Sequence, residues 1–567
     1  MKKQHILIII LLISAILTLF GLSRGDTVND EVFTSFRGLG MIDFDEANTQ
    51  TTPWEWTDPE IPWWAHLSFH DHPIGVPLIQ NLSMRMFGDN NFGFRLPSAI
   101  LGIISVYLLY LIGKFLYSEN IGLFSAAIFG LTVNHLYISR VGMQEAYVIF
   151  IILLAIYFFI KSLQNPKYLI AVGIIIGLGL LIKYTVFILV LIFLTYLLFF
   201  KRQYFKNKNF WAAIILAILI FSPSIIYNLT LYKNFGHFDF QICHILNKCP
   251  EAWKNAPGKE IGTPLERIQN FIPRLINSNS WIFLTLAFFS LIAFLVSLFK
   301  NTKENLIKNN LLLFIICYLL LLLILIGPSY RFLTMLTPFL ALSIGLFLQS
   351  LLQKLSAQEL ASKRYPNILK YVGVLFKGNV LLSFILVFEI FYSVNNQIAF
   401  YPVGPTPWLA SNIRYENYNW GYNELNQWLE SETKNKIPAL TFDMKYQFLE
   451  RIKSETLEKG LANNAEVYPA LFVYDGNFDQ AGKLWSLDRF HIYHAWPIIN
   501  LKTYYENLEK EGFDYYRRSG FKYIYFVFLN NAIPTEADKS LMQGNPLIIK
   551  NQRGDNVFNI YKFNIYD

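Results

Sequence analysis

Between residues 5 and 394 the chain is a succession of apolar runs of about bilayer-crossing length, separated by short basic loops and by two long polar ones, 24–92 and 228–279. A helix needs ~20 apolar residues to cross the hydrocarbon core. In that solvent every backbone polar group must be satisfied internally, so runs of this kind read as membrane helices. They fall near 5–22, 93–113, 120–138, 142–161, 167–182, 184–200, 210–227, 280–299, 310–327, 331–350 and 372–394, about eleven crossings. With 54% hydrophobic and only 16% charged residues in 567, the expected class is a polytopic α-helical membrane protein. The net charge of +8 does not point to nucleic acid, because the basic residues cluster in short loops, the ordinary signature of cytoplasmic membrane loops.

Lys2 and Lys3 precede the first run, and no small-x-small cleavage pattern follows it, so a retained helix is expected rather than a signal peptide. Residues 168–200 are nearly continuous, and a split near Lys183 decides the orientation of everything downstream. With the split, Lys161, Lys167, Lys201, Arg202, Lys206, Lys208, Lys300, Lys303, Lys308, Lys354, Lys363, Arg364 and Lys370 all share one side, as the Lys/Arg bias requires of the cytoplasmic face. The amino terminus is then cytoplasmic and the carboxyl terminus outside. Loop 24–92, the turn at 139–142, loop 228–279 and the turn at 327–331 all reach the outer face, with Lys183 at the outer end of its hairpin. A bacterial inner membrane fits this arrangement, with the carboxyl-terminal part in the periplasm.

The expected domains are 1–394, a transmembrane catalytic domain whose outer loop 24–92 forms part of the active site, and 395–567, an extracytoplasmic α/β domain. The second carries strand-like runs at 437–442, 469–475, 522–528 and 557–563. Helical patterns lie between them in YNELNQWLESE and in LKTYYENLEKEG, the latter closed by Gly512. It contains neither a nucleotide-binding glycine fingerprint nor a nucleophile elbow.

The stretch 41–97 is polar, acidic and tryptophan-rich, far longer than a hairpin needs, and long loops of this kind are commonly functional. Asp43, Asp45 and Glu46 open it. Carboxylates beside Trp54, Trp56, Trp63 and Trp64 suit a sugar site, since indole faces stack on the apolar faces of pyranoses while an acid binds or deprotonates a hydroxyl. The same tryptophans also suit an interfacial belt. Arg140, Glu145, Lys183 and Arg331 are charges close to the membrane, which are costly there and often functional; an Arg140–Glu145 pair locking two helices is the structural alternative. Three cations and an acid suit a phosphate headgroup on a long apolar tail. His66, His70, Asp71 and His72 cluster locally. On a helix, His66 and His70 would share a face as metal ligands do, which leaves a divalent metal open; a hydrogen bond from histidine to phosphate is the preferred role. Of three cysteines, Cys317 lies in an apolar run, while Cys243 and Cys249 either pair in an oxidising compartment or remain two loop thiols.

The order of these pieces resembles the GT-C membrane glycosyltransferases that use polyprenyl-phosphate sugars, with protein O-mannosyltransferases and lipid A aminoarabinose transferases as the nearest branches. The resemblance runs in order through residues 1–350. It rests on Asp45-Glu46, HPIGVPL at 72–78, MFGDNNFGFRLPSAILG at 86–102, ISRVGMQEAY at 138–147, GLGLLIKYT at 177–185 and YRFLTMLTPFLAL at 330–342. It implies a polyprenyl-phosphate sugar donor, Asp45 as the general base with Glu46 as its reserve, and inverting direct displacement. A phosphate leaving group needs no proton, so one base and a set of cations suffice. Arg140, Lys183, Tyr330, Arg331 and His72 would hold the donor phosphate, and Trp54, Trp56, Trp63 and Glu145 the sugar or acceptor. His72 stands where the family often has Lys, and Glu145 replaces a more usual Asp. The acceptor, whether protein, lipid or glycan, is not inherited. The rival reading is a transporter or flippase for a polyprenyl-linked sugar or lipid, against which stands the lack of a visible internal repeat.

Overall fold

The computed structural model describes residues 2–27, 30–44, 60–254, 262–300, 303–362, 378–399, 401–417, 419–442, 447–531, 535–542 and 544–566. Two compact units emerge. One comprises residues 1–22 and 63–416, the other residues 23–62 and 417–567.

The first unit is helical. Among the described residues, seven of its helices have the length and apolarity of a membrane crossing: Asn91–Leu116, Gln144–Ser162, Lys208–Phe235, Trp281–Leu298, Lys308–Ile326, Tyr330–Lys354 and Val380–Gln397. An eighth crossing results if Glu119–Leu131 and Val133–Arg140, bent by 60° about Thr132, count as one. Lys3–Leu19, Tyr168–Leu180 and Tyr184–Phe200 are apolar but shorter. The chain is an integral membrane protein. Its long run 168–200 breaks at Leu181–Lys183, where Lys183 has extended backbone, so the lysine interrupts the helix instead of lying within one.

Burial grades these helices. Gln144–Ser162 is 72% buried across its crossing window, whereas Lys208–Phe235 is 22% buried. On the latter, Trp211, Ile215, Ile218 and Leu219 are exposed at helical spacing, an apolar stripe for which lipid is the matching solvent. The central helix 144–162 packs against 91–116 and 168–180. A charge at its start is therefore held inside protein.

The second unit has a five-stranded mixed sheet. In chain order the strands are β1 (Lys436–Pro438), β2 (Glu466–Tyr468), β3 (Ala470–Tyr474), β4 (Ile498–Asn500), β5 (Tyr523–Leu529), β6 (Leu547–Lys550) and β7 (Asn556–Asn564). β1 and β2 form a separate parallel pair, and the sheet runs β4-β3-β5-β7-β6. β4, β3 and β5 are parallel, while β7 pairs antiparallel with β5 and β6. Alternate side chains of β3 and β5 serve two cores, as the two-residue period of a strand dictates. Phe472, Tyr525 and Val527 pack with Leu425 and Leu429 on one face. Leu471, Val473, Ile524 and Phe526 pack with Tyr504 and Tyr516 on the other.

The expected boundaries shift in two places. Residues 401–416 stay with the helical unit because the last membrane helix holds them: Tyr392 Oη donates to the Ala410 carbonyl at 2.8 Å, Asn395 Nδ2 to Leu409 O at 2.8 Å, and Asn396 Oδ1 accepts from Ser411 N at 2.7 Å. The first outer loop is divided. Its leading part, 23–62, groups with the sheet, and its trailing part, 63–92, with the membrane helices.

Candidate active site

In the helical unit two cations converge on one buried carboxylate. Glu145, in the first turn of Gln144–Ser162 and 1% exposed, accepts from Lys183 Nζ at 2.6 Å through Oε1. Arg331 Nε lies 4.0 Å from the same oxygen. Lys183 has no acid near it in sequence; its partner stands 38 residues away and is found only once the helices pack. Phe332 completes the group, with Lys183 Nζ 4.7 Å and Arg331 Cζ 4.9 Å from its ring centroid. Two described cations thus meet at one buried carboxylate. The Arg331 side chain remains 26% exposed. Burying such charges costs several kcal/mol per ion unless they are paired, and cations of this kind, set beside an apolar ring, match a phosphate on a lipid.

Local structure explains the placement. Ser329 caps the turn carrying Tyr330–Leu333 through its hydroxyl, which accepts from Phe332 N at 3.4 Å. Tyr330 Oη accepts from Asn412 Nδ2 at 3.0 Å. Arg274 Nη1 donates to the Pro328 carbonyl at 3.4 Å, and Arg267 donates to the Leu325 carbonyl, so the amphipathic helix Pro264–Ser278 braces the chain entering Tyr330. The break at Lys183 is fixed from the other side. Gly75 N donates to Leu181 O at 2.8 Å, and a Cβ on Gly75 would lie 2.5 Å from that oxygen. Only glycine lets segment 72–75 approach the lysine hairpin this closely.

A second polar cluster adjoins Lys183 in sequence. Asp239 accepts from Tyr184 Oη at 2.6 Å, from Asn228 Nδ2 at 2.9 Å and from Ile242 N at 2.8 Å, and its own N–H donates to Asn228 Oδ1 at 2.9 Å. Burial pushes its carboxyl up, against those donors. The loop beyond is tied down by a Cys243–Cys249 disulfide and by bonds from Phe240 N to His70 O and from Gln241 Nε2 to Asp71 O, both 2.8 Å. Sequence reasoning left the disulfide open and missed Asp239, whose signal was a lone acid in an aromatic loop.

The remaining expected residues are placed as follows. Arg140 is not brought to the Lys183–Arg331 group. Its guanidinium donates to the carbonyls of Leu17, Thr18, Phe20 and Gly21, closing the carboxyl end of helix Lys3–Leu19. The Arg140–Glu145 pair is likewise replaced by Lys183–Glu145. His66 and His70 do not share a helix, because the 3₁₀ turn Trp63–Leu67 ends between them; His66 is exposed and His70 buried. His72 Nδ1 lies 3.1 Å from Asp71 Oδ2. Trp63 is exposed at 69%, whereas Trp64 is buried and lies 5.8 Å from the Tyr227 ring. Asp45, Glu46, Trp54 and Trp56 lie outside the described residues.

With this geometry in hand, three comparisons are informative. The family described as dolichyl-phosphate-mannose-protein mannosyltransferase matches residues 71–227, a span holding His72, Glu145 and Lys183. A putative mannosyltransferase, YkcB of Bacillus subtilis (strain 168), is 26% identical over 188 residues, 31% of this chain but only 24% of that protein. Among solved structures, ArnT from Cupriavidus metallidurans bound to undecaprenyl phosphate is similar over 99% of this chain and 98% of its own, with 9% identity and a TM-score of 0.52. The apo oligosaccharyltransferase of Archaeoglobus fulgidus is similar over 92% of this chain and 69% of its own, with 14% identity and a TM-score of 0.50. The chain therefore has the fold of the GT-C membrane glycosyltransferases.

Proposed function

We propose that this protein transfers a sugar from a polyprenyl-phosphate carrier to an acceptor at the outer face of a bacterial inner membrane. The observation that carries the reading is the Lys183–Glu145–Arg331 cluster, two cations on one buried acid at the head of the most buried crossing among the described residues. The undecaprenyl phosphate bound by the similar ArnT structure supports the same ligand class here. Lys183 and Arg331 hold the donor phosphate, with Tyr330 and His72 as further donors of hydrogen bonds to it.

Chemically the step is a single displacement. Asp45 takes the proton of the acceptor hydroxyl, with Glu46 as its reserve. The acceptor oxygen forms its bond to the anomeric carbon as the carbon–oxygen bond to the carrier phosphate breaks. The electron pair leaves with the phosphate, whose growing charge Lys183 and Arg331 balance, and attack opposite the leaving group inverts the anomeric centre. General-base catalysis of this kind is worth about 10²–10⁴-fold. The Lys/Arg bias of the short loops supports an outward site, as does the Cys243–Cys249 disulfide, since such bonds persist in oxidising compartments.

The test is transfer by the purified protein from radiolabelled undecaprenyl-phosphate mannose and aminoarabinose to membrane extract. Label should reach a lipid, protein or glycan acceptor with one of these donors, and Asp45→Asn should abolish it while undecaprenyl-phosphate binding persists. Wild-type turnover in that variant sinks the base assignment. Binding of a wide panel of donors without any transfer would favour the transport reading.

A further inference from the structure

Lys183 leaves its helix in extended backbone, so the packing of that helix alone does not place its ammonium. We propose that Asp239, through the hydroxyl of Tyr184, holds Lys183 in position for the carrier phosphate. The inference deepens the proposed function and rests on Lys183 being a phosphate ligand. Every residue it uses lies in the unit comprising 1–22 and 63–416.

The lysine backbone is tied on both sides. Its N–H donates to Gly179 O at 2.9 Å, and its carbonyl accepts from Val186 N at 3.1 Å, which opens the 3₁₀ helix Tyr184–Phe187. A 3₁₀ turn has poorer hydrogen-bond geometry than an α-helix, so a side-chain anchor steadies it. That anchor is Tyr184, whose Oη donates to Asp239 Oδ2 at 2.6 Å and whose ring meets Phe221 edge-on at 5.8 Å. The Cα atoms of Lys183 and Tyr184 belong to one planar peptide. Anchoring the tyrosine therefore fixes the root of the lysine side chain, whose Nζ reaches Glu145 at 2.6 Å.

Asp239 is itself immobilised. It is fully buried, and its two oxygens take bonds from Tyr184 Oη, Asn228 Nδ2 and Ile242 N. Asn228 stands on the crossing Lys208–Phe235 and also donates to Ser224 O at 3.0 Å, so the acid is referenced to a membrane helix. Bonds to a carboxylate are roughly twice as strong as those between neutral groups, which suits a joint that must keep one geometry. All three donors are neutral, so the joint takes no charge away from Lys183. From the far side, the disulfide-closed loop ties Phe240 and Gln241 to the carbonyls of His70 and Asp71, and segment 72–75 returns to the lysine hairpin through Gly75 N and Leu181 O. Asp239 and Tyr184 are positioning residues, since they act through Lys183.

The experiment measures undecaprenyl-phosphate binding and melting on full-length Tyr184→Phe and Asp239→Asn. Each is made in wild type and in Lys183→Met/Glu145→Gln, which removes the lysine together with its acid. In wild type, Tyr184→Phe should weaken binding about three- to tenfold, the range expected of coupled neighbours. In the Lys183→Met/Glu145→Gln background the same change should alter affinity by less than about twofold, because the group it positions is gone. Asp239→Asn should follow the same pattern with a larger loss, since an amide N–H replaces one acceptor oxygen. Equal losses in the two backgrounds mean that the tyrosine supports the fold and not Lys183, and overturn the proposal; so does unchanged binding in Tyr184→Phe. Should Asp239→Asn fail to fold, Tyr184→Phe, which loses a single hydroxyl, decides alone. Wild-type affinity in Lys183→Met/Glu145→Gln would remove the lysine from the donor site, a failure of the proposed function that shows with Tyr184 and Asp239 untouched.

Discussion

The two units each bury an acid, and they satisfy it in opposite ways. Glu145, at the head of a membrane crossing, is met by side-chain cations that arrive from 38 residues away in Lys183 and from a later turn in Arg331. Asp26, in the sheet-bearing unit, is met by three backbone amides at a helix start. Backbone amides are fixed dipoles and suit a permanent joint. A carboxylate held by side-chain cations suits a site whose charge balance changes when an anion enters. On the proposed function, the Glu145 cluster answers to ligand charge, whereas the Asp26 joint does not.

Breaking one partner of the Glu145 cluster should have the largest effect. Lys183→Met removes the cation 2.6 Å from Glu145 and leaves Arg331 at 4.0 Å, and removing one partner of a buried ion pair costs about 3–5 kcal/mol. A large fall in melting temperature is the expected result. The double variant Lys183→Met/Glu145→Gln should recover most of that stability while leaving carrier binding and transfer impaired. Recovery of transfer as well would mean that the pair only locks helices.

Arg331→Ala should sharpen the same contrast more gently. Its side chain is the more exposed of the two cations in the cluster, so melting should move little. Loss of a charge-assisted bond to phosphate, worth about 1.5–3 kcal/mol, should weaken undecaprenyl-phosphate binding on the order of ten- to hundredfold. Equal binding in the two proteins would remove Arg331 from the site.

The sequence made the apolar helices legible, because apolar length is a one-dimensional signal, although among the described residues seven or eight, not the expected eleven, have the length of a crossing; the interruption at Lys183 coincides with the observed break. Three strand-like runs, 469–475, 522–528 and 557–563, coincide with β3, β5 and β7, where long runs of β-branched and aromatic residues fill both faces of a sheet. The short strands β2, β4 and β6 carry too few residues for a periodic signal. The site was legible as a set of charges, though the pairing was not. Glu145 was read beside Arg140, its neighbour in sequence, but the bend about Thr132 turns Arg140 toward the carbonyls of the first helix. The tie of segment 23–44 to the carboxyl-terminal unit was hidden for a further reason. Asp26 recognises backbone amides, which every sequence has, so no side-chain pattern announces its partner.

The smallest expected effect tests whether the Asp26 joint is as permanent as backbone ligation implies. Glu424, on the same helix, is raised from its ordinary 4.5 to about 7, chiefly by burial and then by the charge of Asp26. Between these values the folded chain keeps a proton that the unfolded chain has released. The resulting stability is fully present below 4.5 and is lost as pH rises through about 7. Glu424 is partly exposed, so solvent screening reduces the effect to on the order of 1 kcal/mol. Melting of the full chain should therefore fall by a few degrees between about pH 5 and pH 8, and Glu424→Gln should flatten that slope. Asp26→Asn should flatten it only in part, since burial, the larger cause, remains. If Asp26→Asn abolishes the slope altogether, repulsion from Asp26 rather than burial dominates. The joint would then be under electrostatic strain at neutral pH, and the division between a site that responds to charge and a frame that does not would have to be given up.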